Sequence, residues 1–219
     1  MRKIYFASKT LYKITGHLPP PWKTPHVIDG KPVLFVHVPK SAGSSLKVML
    51  GCTIGKTTHT MPRLAMRQSD WLNSFIITSV RHPFERFISS YNYIVKKQGS
   101  GVLNRMYGEE LATMDPMQYL AFIQQFPEKL GLQTQWTQYP SKAKPTADLI
   151  LRVEQSALWR EQLQALGLSG VPTEVVHKNA SRDARNLAED SLGLTPADFD
   201  LLKQDVEKVF ASDYEAFSY

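Results

Sequence analysis

The sequence predicts a three-layer α/β fold with a central parallel sheet flanked by helices. Three observations lead there. Apolar runs at 33–38 (VLFVHV), 75–80 (FIITSV) and 148–153 (DLILRV) have the length and β-branched content of buried strands. Segments of helical character follow them, at 43–50, 84–97 and 156–166. Strands that alternate with helices in this way build a parallel sheet with crossover helices.

The elements read as follows. Residues 1–30 hold Pro19-Pro20-Pro21 and Pro25 and read as an N-terminal arm, with Tyr5, Phe6, Leu11, Tyr12 and Ile14 forming a short helix. One domain is assigned to 31–219. Its first strand, 33–38, is bounded by Gly30 and Pro39, and Gly43-Ser44-Ser45 opens the helix that carries Leu46, Met49 and Leu50 on one face. Residues 51–61 read as a polar loop and 62–69 as a short helix. After the second strand, Pro83 suits a first helical position. The helix 84–97 places Phe84, Phe87, Ile88, Tyr91, Ile94 and Val95 on one stripe, with Arg86, Ser89, Ser90 and Tyr93 opposite. Residues 98–108 read as a glycine-punctuated loop, Asp115-Pro116 starts a helix to about Gln125, and 128–147 are irregular. Beyond the third strand and its helix, 174–177 suggest a short strand and 178–193 a polar loop. Thr195-Pro196 with Asp198 starts a last helix to about Phe210.

Composition narrows the chemistry. The chain has 219 residues, 42% of them hydrophobic, enough to bury a core without staples. Its one cysteine, Cys52, excludes an internal disulfide framework and a Cys-based zinc site, and reads as a small core residue. The first thirty residues lack the apolar core and cleavage site of a signal peptide, and no stretch approaches the roughly 20 apolar residues of a membrane span. The expectation is a cytoplasmic or soluble chain. A net charge of +6 favours anionic ligands. The charges are scattered, and the densest cluster is Arg81, Arg86, Lys96 and Lys97.

Two segments carry chemistry. Pro39-Lys40-Ser41-Ala42-Gly43-Ser44-Ser45 joins a strand to a helix through small residues, so backbone N–H groups can approach an anion. Lys40 adds a mobile cation and the serines add hydroxyl donors. An ordinary turn with serine caps is the alternative. The loop lacks the G-x-x-x-x-G-K-[ST] spacing of nucleotide triphosphatases, so it is P-loop-like without being one. Gly51-Cys52-Thr53-Ile54-Gly55-Lys56-Thr57 imitates that motif but has too few residues between its glycines and no strand before it. The second segment is Ser79-Val80-Arg81-His82-Pro83-Phe84-Glu85-Arg86-Phe87-Ile88-Ser89-Ser90-Tyr91. Arg81 stands where a magnesium-holding carboxylate would close a kinase strand, and it suits a phosphate fork; Ser89, two turns into the helix, suits the same anion. The alternative pairs Arg81 and Arg86 with surface carboxylates such as Glu85.

Together the two segments resemble the nucleotide-binding signatures of sulfotransferases that use 3′-phosphoadenosine 5′-phosphosulfate (PAPS). They are similar above all to the carbohydrate sulfotransferases that include the heparan sulfate 2-O- and 6-O-enzymes. The first signature, F-x-H-x-P-K-[ST]-x-G-[ST]-[ST]-L, is matched at Phe35, His37, Pro39, Lys40, Ser41, Gly43, Ser44, Ser45 and Leu46. The second, R-x-P-x-x-R-x-x-S-x-Y, is matched at Arg81, Pro83, Arg86, Ser89 and Tyr91. Weaker echoes are Leu151-Arg152-Val153-Glu154, His177-Lys178-Asn179-Ala180-Ser181-Arg182 and the ending from Asp213-Tyr214 to Tyr219, so the resemblance spans about 33–219.

The resemblance implies a site. Residues Lys40, Ser41, Ala42, Gly43, Ser44 and Ser45 would hold the 5′-phosphosulfate, with Lys40 near the oxygen that bridges phosphorus and sulfur. Arg81 and Ser89 would hold the 3′-phosphate, and Ser181 and Arg182 would close over the adenosine bisphosphate. No metal is implied. Family members often carry a histidine base in a stretch like H-x-T-x-x-x-L. His59-Thr60-Met61-Pro62-Arg63-Leu64 stands between the signatures, slightly offset from that pattern. Related sulfotransferases use a glutamate, but no Glu occurs between Lys40 and Arg81, which strengthens His59. His37 reads as a hydrogen-bonded structural histidine, His82 as a neighbour of the site, and His177 as a residue that orients the late loop or touches the acceptor. Trp136 is the tryptophan considered for sugar stacking; Trp71 and Trp159 fit packing. The implied acceptor is a hydroxyl on a glycan, acidic on the evidence of charge, with no nucleic-acid partner and no membrane span in this chain. The rivals are a P-loop kinase of a small metabolite and a non-catalytic module that binds adenosine bisphosphates or polyanions. Acceptor identity and oligomeric state are not legible.

Overall fold

The computed structural model describes residues 23–52, 59, 61–97, 102–126, 130–141, 143–168, 170–171 and 192–219. The chain divides into two compact units, one of Met1–Val80 with Gln133–Lys178 and the other of Arg81–Leu132 with Asn179–Tyr219.

The first unit is built on a four-stranded sheet in the order β1-β2-β3-β4. Strands β2 (Lys31–Val36), β3 (Phe75–Val80) and β4 (Leu149–Arg152) run parallel, with Phe35 opposite Ile77 and Ser79 opposite Leu151. Asp148 starts this last pairing by accepting the amide of Ile76 at 2.7 Å. Strand β1 (Lys23–Ile28) pairs antiparallel with β2 and lies where the sequence reading places the arm. Asp29 (φ 49°) and Gly30 (φ 75°) form the two-residue hairpin turn between them, both left-handed as such a turn requires. Pro25 sits on this edge strand beside a register shift, where a missing N–H is tolerated.

Both faces of the sheet are covered, which gives the three layers. Val33, Phe35, Ile77 and Leu151 face helix α1 (Gly43–Met49), through Leu46 and Met49, and α8 (Trp159–Ala165), through Trp159 and Leu163. Leu34, Val36 and Ile76 face the other way, onto Met61, Met66, Trp71 and Trp136. Those residues belong to or flank the short helices α2 (Pro62–Ala65), α3 (Gln68–Leu72) and α7 (Thr134–Thr137). The alternation along β2 follows from the period of two of a strand buried on both sides. Each fully buried side chain of the run Val33–Val36 contributes about 1.5–3 kcal/mol by transfer from water, which fixes this strand at the sheet's centre.

The second unit is helical: α4 (Pro83–Tyr91), a π-helical turn (Asn92–Lys96), α5 (Val102–Ala112), α6 (Pro116–Gln124), α9 (Pro196–Val209) and α10 (Ala211–Phe217). Phe84, Phe87, Ile88 and Tyr91 of α4 form its core with Tyr119 of α6 and with Leu202 and Val206 of α9. The caps read from sequence are present. Asp115 and Gln118 make a reciprocal capping box ahead of Pro116, and Thr195 accepts the amide of Asp198 at 3.2 Å.

The structure corrects several sequence expectations. Residues 102–108, read as loop, begin α5, which bends at Tyr107 (φ −136°) and carries Gly108 just after the bend. The helix read as 84–97 is α-helical only to Tyr91. The segment read as irregular contains α7, and the helix read from 156 is α-helical only from Trp159, after a 3-10 turn over Val153–Leu158. The strand expected at 174–177 and the loop at 178–191 lie outside the described residues, as does the arm up to residue 22. No helix among the described residues is long and apolar enough to cross a membrane.

Candidate active site

The loop after β2 is shaped by two left-handed residues. Lys40 (φ 65°) and Ala42 (φ 53°) turn the backbone sharply between the strand and α1. Such conformations disfavour residues with a Cβ and persist only where the surroundings impose them. Here the constraint falls on Ser41, which is fully buried between the two. Its hydroxyl donates to Gln133 Oε1 at 3.0 Å, and its carbonyl accepts the Ser79 hydroxyl at 2.5 Å. Ser41 is therefore an anchor inside the fold. The adjacent Lys40 is half-buried, and Ser44 is exposed. Ser45 and Leu46 direct their amides to Ala42 O at 3.0 and 3.2 Å, whereas the first amides of a helix have no intrahelical acceptor.

Gly43 is required by its neighbour. A Cβ added there would lie 2.1 Å from Cδ2 and 2.2 Å from Nε2 of His37. His37 stands just beyond β2, only 6% exposed, stacked on Phe35 at 5.5 Å between ring centroids. Its Nδ1 is buried and makes no hydrogen bond, so the expected hydrogen-bonded histidine is not what the fold contains. Burial above all, and then the positive charges of His59, Lys47 and Lys40, lower its pKa to about 3. The ring is neutral at any working pH, and the charges that bias it are all cationic.

His59 is exposed, and its ring meets His37 edge-on at 4.4 Å and 70°. Its carbonyl accepts Trp136 Nε1 at 3.3 Å. Trp136 itself is completely buried, which rules out the sugar-stacking role considered for it; Trp71 and Trp159 are core residues as expected. The first unit thus brings together Lys40, the small-residue turn, Gly43, His37 and His59. Cys52 is half-buried near this core, and burial, partly opposed by Lys47, pushes its thiol up to about 11. That thiol is unreactive at neutral pH.

In the second unit, Arg81 and Ser89 are half-buried. Arg81 Nε lies 3.4 Å from Glu85 Oε2, the ion pair anticipated as its alternative role. Ser89 lies two turns along α4. Arg86, expected on the polar face, is 1% exposed. Its Nη1 donates to Gly131 O at 2.9 Å and lies 3.9 Å from Asp213 Oδ2, itself fully buried. Burial lowers the Arg86 pKa to about 10, with Asp213 opposing. Ser90 is also buried, sharing a 2.6 Å hydrogen bond with Tyr119. His82 contacts the rings of Tyr214 and Tyr219 at 5.3 and 5.1 Å. Ser181, Arg182 and His177, and the imitation motif from Thr53 to Thr57, lie outside the described residues.

Gln133 and Ser79 are contributors whose roles sequence reading did not find: Gln133 stands in no motif, and Ser79 opens the second segment just ahead of its matched signature. Among the described residues no group of three or more His, Cys, Asp or Glu is arranged to hold a metal ion. The family model described as "Sulfotransferase family" matches residues 26–219. No curated protein and no solved structure matches the chain.

Proposed function

The chain belongs to the sulfotransferase family, and on that premise we propose that it moves a sulfuryl group from PAPS to a hydroxyl of a glycan. The observation that carries this reading is the turn after β2. Lys40 sits there in a left-handed bend beside buried Ser41, and the charges acting on the neighbouring His37 are cationic. A rigid, positively biased, small-residue turn fits a doubly anionic phosphosulfate.

The donor supplies an activated sulfur bound to a phosphate oxygen. In the transfer that S–O bond breaks as the acceptor oxygen bonds to sulfur, and the electron pair stays on the phosphate. Lys40 neutralises the charge that grows on that leaving oxygen, the kind of preorganised contact worth most in the transition state. His59 takes the proton of the acceptor hydroxyl, a role suited to an imidazole. Arg81, releasing or sharing Glu85, and Ser89 bind the 3′-phosphate. The family resemblance extends that cradle to Ser181 and Arg182. The net charge of +6 supports an acidic polymer as acceptor.

The test is a pair of measurements on the full chain. Adenosine 3′,5′-bisphosphate should raise the melting temperature more than ADP with magnesium, and Arg81→Ala should erase that preference. Labelled sulfate from PAPS should appear on partially desulfated heparan sulfate in preference to a neutral oligosaccharide or a tyrosine peptide. Stronger stabilisation by ADP and magnesium would favour phosphoryl transfer and sink the donor assignment. Transfer to the tyrosine peptide alone would sink the acceptor class.

A further inference from the structure

The proposed reaction leaves His37 without a task, although the structure gives it an unusual setting. Three groups enclose its ring: Phe35 stacked at 5.5 Å, the bare Cα of Gly43, and the edge of His59 at 4.4 Å. We propose that His37 is a positioning residue whose ring holds His59 at a fixed place relative to the turn that begins α1, so that it acts on sulfuryl transfer through His59. The inference rests on His59 being the general base.

Three features favour this role. His59 is exposed, and a base works only when it is held in one geometry relative to its substrate. Trp136 ties down the His59 backbone, and the His37 ring supplies a wall for its imidazole. Second, Nδ1 of His37 has no hydrogen-bond partner, so shape and not bonding is what this side chain contributes at that atom. Third, the two imidazoles do not compete for one proton. The groups that face His37 are Lys40 from the turn, Lys47 from α1 and His59 itself, and with burial they keep it uncharged. An uncharged neighbour leaves His59 able to accept and release a proton without repulsion.

Gly43 completes the argument. The ring that supports His59 also lies against the turn that holds Lys40, so base and turn share one rigid reference. A loop histidine without such a reference would sample positions an ångström or more from the acceptor hydroxyl, at a cost of about 10²-fold in rate.

The experiment is a double-mutant cycle with His37→Ala, His59→Ala and both together, plus His37→Phe. Transfer from PAPS to partially desulfated heparan sulfate, or to whichever acceptor named above is sulfated, gives kcat at saturating donor. Calorimetric binding of adenosine 3′,5′-bisphosphate gives donor-site affinity. His37→Ala should lower kcat by about 10- to 100-fold and weaken the bisphosphate far less. His37→Phe, which keeps a flat ring of similar size, should recover most of that loss. In the His59→Ala background the His37 substitution should add little further loss. Additive losses, a His37→Phe enzyme as slow as His37→Ala, or a loss confined to KM would overturn the inference while the base assignment stands. An unimpaired His59→Ala enzyme would overturn both. If His37→Ala does not fold, His37→Leu, which fills the space without a flat edge, replaces it in the cycle.

Discussion

Replacing Gly43 by alanine adds one methyl group where the structure has no room for it. The new Cβ would stand 2.1 Å from His37 Cδ2, 2.2 Å from Nε2 and 2.8 Å from Cγ. Ordinary contact begins near 3.4 Å, so the ring or the turn must retreat by about 1.3 Å. Neither has an easy path. The ring is backed by Phe35 and His59, and the turn is pinned by the buried Ser41 with its bonds to Gln133 and Ser79. Overpacking of this kind costs about 1–3 kcal/mol. At roughly 2–4 °C per kcal/mol for a chain of this size, Gly43→Ala should melt about 2–12 °C below the wild type.

The kinetic effect should be larger than the thermal one. A displacement of about 1 Å at reacting groups is worth about 10²-fold in rate, so kcat should fall by that order even at temperatures where the variant is fully folded. Thermal melts followed by circular dichroism and initial rates at saturating donor measure the two effects separately. Combining Gly43→Ala with His37→Ala removes the clashing ring, so the double variant should lose less stability than the two single losses predict. An alanine variant with unchanged melting and unchanged kcat would refute the reasoning, because His37 would not then be wedged against the turn.

Other consequences can be checked directly. Lys40→Ala should lower kcat by about 10²- to 10³-fold while leaving the fold intact, if it removes the charge proposed to meet the leaving oxygen; steady-state rates with matched melting curves test this. Arg86→Met removes the cationic partner of the fully buried Asp213, and loss of one partner from a buried pair costs about 3–5 kcal/mol, so denaturant midpoints should drop sharply. Adding Asp213→Leu should recover much of that loss. Acid should also destabilise the chain through His37. Its pKa is about 3 when folded and near 6.5 when unfolded, so between those values the unfolded state binds more protons. Stability from this group is fully present above about pH 6.5 and falls as pH drops towards 3, by an amount on the order of a few kcal/mol. His37→Phe should flatten that part of the stability–pH curve, measured by urea unfolding at a series of pH values.

What the sequence disclosed depends on how local its cause is. Strands β2 and β3 were legible because burial on both faces forces continuous apolar runs, and β4, though an edge strand only partly buried, because its Leu149-Ile150-Leu151 run is itself apolar. Strand β1 was not, because an edge strand is only partly buried and Pro25 argues against it; the Asp29-Gly30 hairpin signal lay in the stretch read as an N-terminal arm. Helix α5 was hidden by Gly108 and by the bend at Tyr107, which break the periodicity that Leu103 and Leu111 would otherwise show. The turn at 40–45 was legible because its chemistry sits in consecutive residues. Its anchors were not: the Ser41–Gln133 bond joins residues 92 apart in sequence. Arg86 misled for the same reason, since the distant Asp213 and the Gly131 carbonyl turn a charge on a helix into a core residue.

These distant anchors also account for a feature of the turn that its sequence makes improbable. Phosphate-binding turns commonly meet positive φ with glycine, yet here the left-handed positions are Lys40 and Ala42, and the glycine at 43 is helical. Two non-glycine residues in this conformation cost roughly 1–2 kcal/mol each relative to the right-handed alternative. The buried hydroxyl bond of Ser41 and the Ser79 contact to its carbonyl offset part of that, at about 0.5–1.5 kcal/mol per hydrogen bond. Placing the strain on Lys40 puts the cation itself at the bend, and keeping glycine for position 43 lets His37 close on the turn from behind. One arrangement thus serves two ends: Lys40 is held at the bend, and the ring that abuts the turn is the one that abuts His59. The geometry of the first unit follows from that division, with the glycine spent on packing and the strain spent on the cation.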